Sequence, residues 1–535
     1  MTEKYLIYVR QNWKKIGFSI VILIFLISMA IFLLHIIVQT NSSLVLSNKT
    51  VDAHVEINQT IQSYSSFKPS NTTVSVAGDG SGNFTCDGSD DQVEIKQALA
   101  YVVENPQFTT VHLKGPNTYI ISDSIFIGNN TILEGDPTSV IKLKDKADWP
   151  SGKSLIMQMD KAGNHNITIR GFKIDGNHNK NEERNRGEGY YDMIHFLNSK
   201  NIKIHSMYMQ YGHGDGLRVE NSSNIQFYNN RVYKLGHDGL YAIGCQNVEA
   251  RNNRITCRTD SGLRIWDSNH VKFHDNVIDS FYHWSAGGSG IQIEKSTSVV
   301  NDIEIYNNTI HDTYGPGIWL IGYGESYPKD EAKNVHIYHN IFYNTGTNPS
   351  IDWVGGIVTS GFYDTLIENN VFDGVYHAAI IDMYPSVSTG VGDPVDLSPK
   401  GTGYTTIVRN NIIVNTQKRK KDPDGTGYGI INNLPETHTF MLENNCLYNN
   451  VGGNYKNANS TTDTYVNPLF VDQKNHDYRL ISNVQIEQRT AIRAFLRFET
   501  QKIRTGIAWF ETKWSITKNA VNQFLKDPIS ILYKM

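Results

Sequence analysis

The sequence predicts an all-β fold, a parallel β-helix solenoid, with a transmembrane helix before it and a helical extension after it. Two observations carry the solenoid. One motif, a short alternating strand followed by an Asn-containing corner and a second apolar pair, recurs from Asn166 to Thr439, as in NIKIHSMYM at Asn201, NIQFYNNRV at Asn224, NVEARNNRI at Asn247 and HVKFHDNVI at His270. Those four starts lie 23 residues apart, and a strand-like period above ~20 residues means stacked coils that bury their apolar faces on one another. No repeat holds a helix-length apolar pattern, regular leucines or a four-stranded unit, which sets aside leucine-rich repeats and propellers. Composition agrees: 43 Gly and 29 Tyr among only 39% hydrophobic residues suit strands joined by corners.

In chain order, residues 1–16 read as a cytoplasmic tail carrying Lys4, Arg10, Lys14 and Lys15. Residues 17–38, GFSIVILIFLISMAIFLLHIIV, are apolar apart from His35 and long enough to span a bilayer. The basic residues before them keep the tail inside and place everything after Gln39 outside. A long apolar run without a small-residue cleavage site reads as an uncleaved anchor. The expectation is therefore a single-pass protein of the cell membrane with an extracellular β-helix. Glycosylation acceptors at Asn41, Asn48, Asn58, Asn71 and Asn83 fit an exported surface. Residues 39–75, rich in Ser, Thr and Asn, read as a stalk or linker.

The solenoid is expected over 76–483. DGSDDQVEIKQALAYVVE, residues 87–104, puts Val93, Ile95, Ala98, Leu99 and Val102 on one helical face, and this helix should cap the first coil, whose open strand edges would otherwise invite pairing. Short β-prone strings follow, then the repeats, and residues 466–480 look like a closing turn. Residues 484–535 change character: from Arg489 onward nine Lys or Arg face three Asp or Glu, with Phe495, Phe498, Trp509, Phe510, Trp514 and Phe524 between them. That is a basic, aromatic, amphipathic helical extension, suited to lie on the solenoid, on a membrane surface or against an anionic polymer.

A net charge of -4 offers no field for nucleic acid. Cys86, Cys245, Cys257 and Cys446 are too few and too scattered for a disulfide framework, and Cys245 and Cys257 read as buried small residues. Ligand spacing for zinc is absent. Nothing in the sequence sets the oligomeric state.

The period stacks residues by counting alone. Gly216, Gly239 and Gly262 fall above one another, followed by Leu217, Leu240 and Leu263 pointing inward and by Arg218, Tyr241 and Arg264 pointing outward. One position before the glycines stand Asp215, Asp238 and Ser261; two before them stand Gly214, His237 and Asp260, with His213 and Arg258 close by. Coils ~4.8 Å apart would make Asp215 and Asp238 adjacent carboxylates and bring His237 to Asp260. These are parts for chemistry on an acidic sugar. Arg218, Arg258 and Arg264 would hold a uronate carboxylate, His237 would act as base oriented by Asp260, and Tyr241 would give a proton to the leaving oxygen. Asp215 and Asp238 would share a proton, with no cofactor, or bind a hard cation such as calcium. His213, Tyr191, Trp284 and Trp319 would line a sugar groove. The same row could be a salt-bridge ladder with Asp at tight turns. Its charge ends after three coils, where Gln292 and Trp319 follow, and that favours a site.

The coils resemble the right-handed parallel β-helix repeats of pectate-lyase-like proteins, and DGSDDQVEIKQAL followed by VHLKGPNTYII resembles their N-terminal cap and first coils, over about residues 74–483. More narrowly, GHDGLYA with CRTDSGLR resembles the β-helix domain of methanogen disaggregatases, enzymes that break down a chondroitin-like surface matrix of uronic acid and N-acetylgalactosamine. That resemblance implies His237, Asp238, Arg258, Asp260 and Arg264 as site positions; the anchor and the basic tail fall outside it. Relatives on this scaffold include lyases, hydrolases, epimerases, esterases and noncatalytic surface proteins, so fold does not fix chemistry. The expectation is an extracellular enzyme that acts on an acidic polysaccharide by β-elimination. The alternatives are a hydrolase or uronate epimerase on the same residues, or a noncatalytic glycan-binding surface protein.

Overall fold

Asparagine sets the corners. Asn201, Asn224 and Asn247 all sit in the left-handed region at φ 58, a conformation Asn tolerates because its side chain can bond locally. Their amides also join head to tail, Asn224 Nδ2 donating to Asn201 Oδ1 at 2.8 Å and Asn247 Nδ2 to Asn224 Oδ1 at 3.0 Å. A second row, Asn230, Asn253, Asn276, Asn308 and Asn340, is buried. Asn276 Oδ1 accepts the Asn253 backbone N–H at 3.0 Å while Asn276 Nδ2 donates to Ala250 O at 3.0 Å, so the inner corners satisfy their polar groups without water.

Between corners the chain runs as short parallel strands. A computed structural model describes residues 72–150, 152–181, 191–257, 260–280, 288–323, 328–349, 351–383 and 401–481, and there the strands stack into three sheets of 14, 12 and 12. All of these residues belong to one of the chain's two units, Pro69–Met535; the other, Met1–Lys68, lies outside them. The sheet that carries the charged row runs from Ile125–Ile127 to Gly453–Lys456 and includes Leu217–Glu220, Leu240–Ile243, Leu263–Trp266 and Ile291–Lys295. Alternation sends Leu217, Leu240, Leu263 and Ile291 into the lumen, fully buried, each contributing roughly 1.5–3 kcal/mol.

The glycine before each of these leucines makes room for the next coil. A Cβ on Gly239 would run into the Gly262 carbonyl oxygen and meet Ile255 Cγ2 at 2.9 Å. Gly239→Ala should therefore destabilise the solenoid by about 1–3 kcal/mol, read as a lower urea midpoint in a circular-dichroism titration.

Helix Gln92–Glu104 closes the N-terminal end with Ile95, Ala98, Leu99 and Val102 in the core. Val93, expected on that face, is exposed, because two residues turn a helix by ~200° from Ile95. At the other end Phe470–Asp472 and Asp477–Leu480 form an antiparallel hairpin whose Phe470, Tyr478 and Leu480 pack on Val371, Ile412 and Val414.

The expected helical flanks are corrected. Among the described residues no helix is long and apolar enough to cross a membrane. Gln92–Glu104 has 13 residues, short of the ~20 a bilayer needs, and its apolar side serves the core. The anchor at 17–38 and the extension at 484–535 lie outside the described residues. Among the described residues the architecture is thus an all-β solenoid without a transmembrane or extension helix, and there the expected single-pass membrane localisation and membrane partner find no helix to rest on.

Candidate functional site

Four successive coils enter the charged sheet through a tight corner that repeats Asp192, Asp215, Asp238 and Ser261. The repetition has a backbone cause. Asp192 Oδ1 accepts the N–H of Asp215 at 2.9 Å, Asp215 Oδ1 that of Asp238 at 2.8 Å, and Asp238 Oδ1 that of Ser261 at 2.7 Å. One oxygen of each carboxylate therefore holds the scaffold. The remaining oxygens, Asp215 Oδ2 and Asp238 Oδ2, accept no hydrogen bond although the residues are only 1% and 0% exposed.

Charged groups from neighbouring coils gather around these carboxyls. His237 Nδ1 lies 2.6 Å from Asp215 Oδ1 and 3.3 Å from Asp238 Oδ2, and His237 Nε2 lies 3.3 Å from Asp260 Oδ2. Arg264 Nη1 is 3.6 Å from both Asp238 Oδ2 and Asp260 Oδ2, and Arg264 Nε is 2.7 Å from Glu294 Oε1. The strand register puts His195, Arg218, Tyr241, Arg264, Gln292 and Trp319 in one outward column. Within it the Tyr241 ring faces two guanidinium groups, Arg218 at 5.3 Å and Arg264 at 4.5 Å. Arg218 Nε donates to Glu220 Oε1 at 2.6 Å. Solvent reaches the cluster at His237 and Arg218, whose side chains are 13% and 32% exposed.

This packing separates the acidities of neighbouring carboxyls. Burial, reinforced by Asp260 and Asp215, pushes Asp238 up to about 7 against the pull of His237 and Arg264. At Asp215 burial acts the same way but is outweighed by the His237 charge, its hydrogen bond and Arg218, which hold that carboxyl below its usual range. Burial and then the Asp215 charge raise Asp192 to about 6. Desolvation disfavours the charged form of His237, yet Asp238, Asp215 and Asp260 outweigh it and hold the imidazolium well above its ordinary range. Burial raises the Tyr241 phenol.

The other residues singled out from sequence fall elsewhere. Tyr191 is buried and donates its hydroxyl to Gly176 O at 2.7 Å; His213, also buried, meets its ring edge-on at 5.2 Å. Both belong to a packed aromatic corner. Trp319 is 6% exposed and stacked on Trp353 at 4.1 Å, so it offers no open sugar platform. Arg258 and Trp284 lie outside the described residues. Counting missed the residues that lock Arg264: Glu294, fully buried, also accepts from Gln292 Nε2 and from the Tyr323 hydroxyl at 2.8 Å. The signal was present, since Glu294 is the second outward position of its strand.

Two clusters among the described residues could hold a metal ion, Asp215 with His237 and Asp238, and Cys86 with Asp91 and Glu94, their ligand atoms lying within 4.8 Å of one another. In the second, both Asp91 oxygens already accept backbone N–H groups, from Gly88 and Ile120. Cys245 is a buried free thiol.

A profile described as a right-handed β-helix region matches residues 58–278, 156–326 and 192–372, which together run over more than half of the chain. A profile described as disaggregatase related matches residues 300–494, a stretch that contains none of His237, Asp238, Asp260 and Arg264. Among curated proteins no sequence matches the chain. Among solved structures, the A-module of mannuronan C-5 epimerase AlgE6 from Azotobacter vinelandii is similar at 17% identity and a TM-score of 0.51, over 71% of this chain and 94% of that one. The Streptococcus pneumoniae surface protein and adhesin PfbA is similar at 16% identity and a TM-score of 0.47, over 70% and 96%. At these identities the likeness is one of fold. With the profile covering most of the coils and three parallel sheets built from them, the chain belongs to the right-handed β-helix family.

Proposed function

We propose that the protein is a hydrolase of a uronate-containing polysaccharide, with His237 and Asp238 as its proton-donating pair. The observation that carries this reading is the separation of acidities, Asp215 held down and Asp238 raised to about 7 with a cationic His237 between them. Elimination and epimerisation both begin by removing the proton beside the sugar carboxylate and need a neutral base. A histidine enclosed by three carboxylates is better suited to give a proton than to take one, which moves the reading from elimination to hydrolysis. His237, at the solvent edge, would protonate the glycosidic oxygen as the bond to the anomeric carbon breaks and a water adds to that carbon, the water's second proton leaving to solvent and so balancing the proton that the pair gave up. Asp238 would restore the proton, and the ionised Asp215, buried behind His237, would keep the imidazole charged between donations. Arg218, the more exposed guanidinium, would hold a sugar carboxylate.

Calcium at Asp215 and Asp238 is not used in this reading, because such a hard cation would sit beside the positive charges of His237 and Arg264. The donor must be protonated, so activity is expected to fall as pH rises through about 7, the position of Asp238. Stability has the same sign. A carboxyl raised in the fold contributes most below its ordinary value of 3.8, and the contribution is lost as pH rises through about 7. A pH–rate profile on polymers such as polygalacturonate and alginate, followed by new reducing ends, tests the proposal; a rate that climbs steadily above pH 7 contradicts it.

A noncatalytic glycan-binding role is the second reading. It is favoured by one observation, that Arg264 is engaged by Asp238, Asp260 and Glu294. Polymer binding without any new chain ends would select it.

A further inference from the structure

One corner near the C-terminal end of the solenoid is strongly basic. Between the strands Ile412–Val414 and Tyr428–Asn432 the connection lengthens, and it carries Lys418, Arg419, Lys420 and Lys421. Lys456 adds a fifth cation from the next coil, its Nζ 3.3 Å from Gly425 O. The same connection holds two carboxylates, Asp422 and Asp424. Among the described residues none of the five cations forms an ion pair, and the buried Nε of Arg419 has no acceptor.

The backbone holds this corner in place. Arg419 N–H donates to Thr426 Oγ1 at 3.1 Å and Thr426 Oγ1 donates to Pro423 O at 2.7 Å, which closes the loop on itself. Its base is tied to both neighbouring coils, Gly427 N–H donating to His377 O and Gly452 N–H to Gly427 O, each at 2.7 Å. Lys420 Nζ lies 5.4 Å over the Tyr376 ring. Gly425 leaves room for Lys456, since a Cβ there would stand 2.9 Å from Lys456 Nζ. An anionic partner thus meets cations on a braced corner and orders little of the chain in binding them.

This corner lies on the same edge of the solenoid as Asp215, His237 and Asp238, because both lead from one 12-stranded sheet to the other. Strand register sets their separation. Six steps lead from Leu240–Ile243 to Tyr428–Asn432, about 29 Å at the spacing of neighbouring strands. Along that edge the described corner residues 314–317, 344–349, 351–356 and 374–377 carry one carboxylate, Asp352, and no Lys or Arg.

We propose that the basic corner is a distal subsite, where Lys418, Arg419, Lys420, Lys421 and Lys456 grip carboxylates of an acidic polysaccharide whose chain also reaches the charged row. The choice of ligand rests on the reading of that row as a uronate site. Charge complementarity supports it: cations without ion-pair partners match a chain that bears carboxylates on successive sugars, whereas a neutral glycan would leave them unmatched. Separation adds a length requirement. A polymer that reaches both places binds the second as part of one molecule, and an oligosaccharide too short to span them gains nothing from the corner.

The test reads binding and cleavage separately. Dissociation constants for polygalacturonate, alginate and a tetragalacturonate are measured on the full chain in the D238N background, which keeps the polymers whole, with circular dichroism as the check on folding. Lys420 and Lys421 are exposed, and K420E/K421E is expected to weaken polymer binding by about tenfold or more, the scale on which single lysines count near a dense anionic surface. The loss should fade as salt shortens the screening length from ~10 Å at 0.1 M to ~3 Å at 1 M, and tetragalacturonate binding should not change. K200E/K203E, the same change of charge at exposed positions of the 14-stranded sheet, should leave both affinities as they are. Unchanged polymer affinity in K420E/K421E, an equal loss in K200E/K203E, or a loss confined to phosphatidylglycerol vesicles would overturn the subsite. So would equal affinity of the chain without corner substitutions for polymer and tetragalacturonate, a result that needs no corner variant to fold. New reducing ends from the wild-type chain are scored apart: polymer binding lost in K420E/K421E while wild type makes no chain ends keeps the subsite and removes the hydrolase.

Discussion

Asp238→Asn is expected to slow polymer cleavage by about 10²–10⁴-fold, the range a positioned proton donor contributes. The substitution is close to isosteric. An Asn at this position can still offer an oxygen to the Ser261 N–H, now bonded at 2.7 Å, so the corner should hold. What it removes is the proton store beside His237, 3.3 Å away, and the carboxyl group that stands 3.6 Å from Arg264. The fall in rate should come with loss of the alkaline limb near pH 7, because the group that titrates there is gone. Circular dichroism and polymer binding should stay near wild type. A D238N rate within about threefold of wild type would remove the His237–Asp238 pair from the mechanism, since a true donor contributes at least ~10²-fold.

Asn276→Ala should be among the most destabilising substitutions in the coils, at about 3–5 kcal/mol. The buried amide accepts from Asn253 N at 3.0 Å and Asn253 Nδ2 at 2.9 Å, and donates to Ala250 O at 3.0 Å and Asn308 Oδ1 at 2.9 Å. Deleting it strands several groups away from water, at about 1–3 kcal/mol each before relaxation. Asn224→Ala, in the outer corner row, should cost about 1–2 kcal/mol, the strain of Ala in left-handed backbone, because water can replace its bonds. Urea unfolding of the two variants side by side reads the difference; equal midpoints would mean that the buried row does not bear the coils.

How much of this was legible in the sequence depended on whether the period held. Where coils are 23 residues long, counting brought Arg218, Tyr241 and Arg264 into one column and Asp215 beside Asp238, and the strand register has them so. Counting stops working where coils lengthen. Glu294 and Tyr323 come from coils with insertions, and both reach back to the row, Glu294 to Arg264 and Tyr323 to Glu294. Trp319 occupies the expected outward position, but Trp353, from a longer connection, covers it, and periodicity says nothing about what a loop lays on a face. Protonation was also out of reach. His237 looked like a base beside one carboxylate, and the fold surrounds it with three.

The most direct test of the central claim is to incubate the full chain with uronate-containing polymers and follow reducing ends and the ultraviolet absorbance of unsaturated uronate in the same tube, with D238N alongside. New reducing ends without absorbance, absent in D238N, are the predicted result. Absorbance rising in step with chain ends would contradict the account and return the site to elimination, with His237 acting as a base.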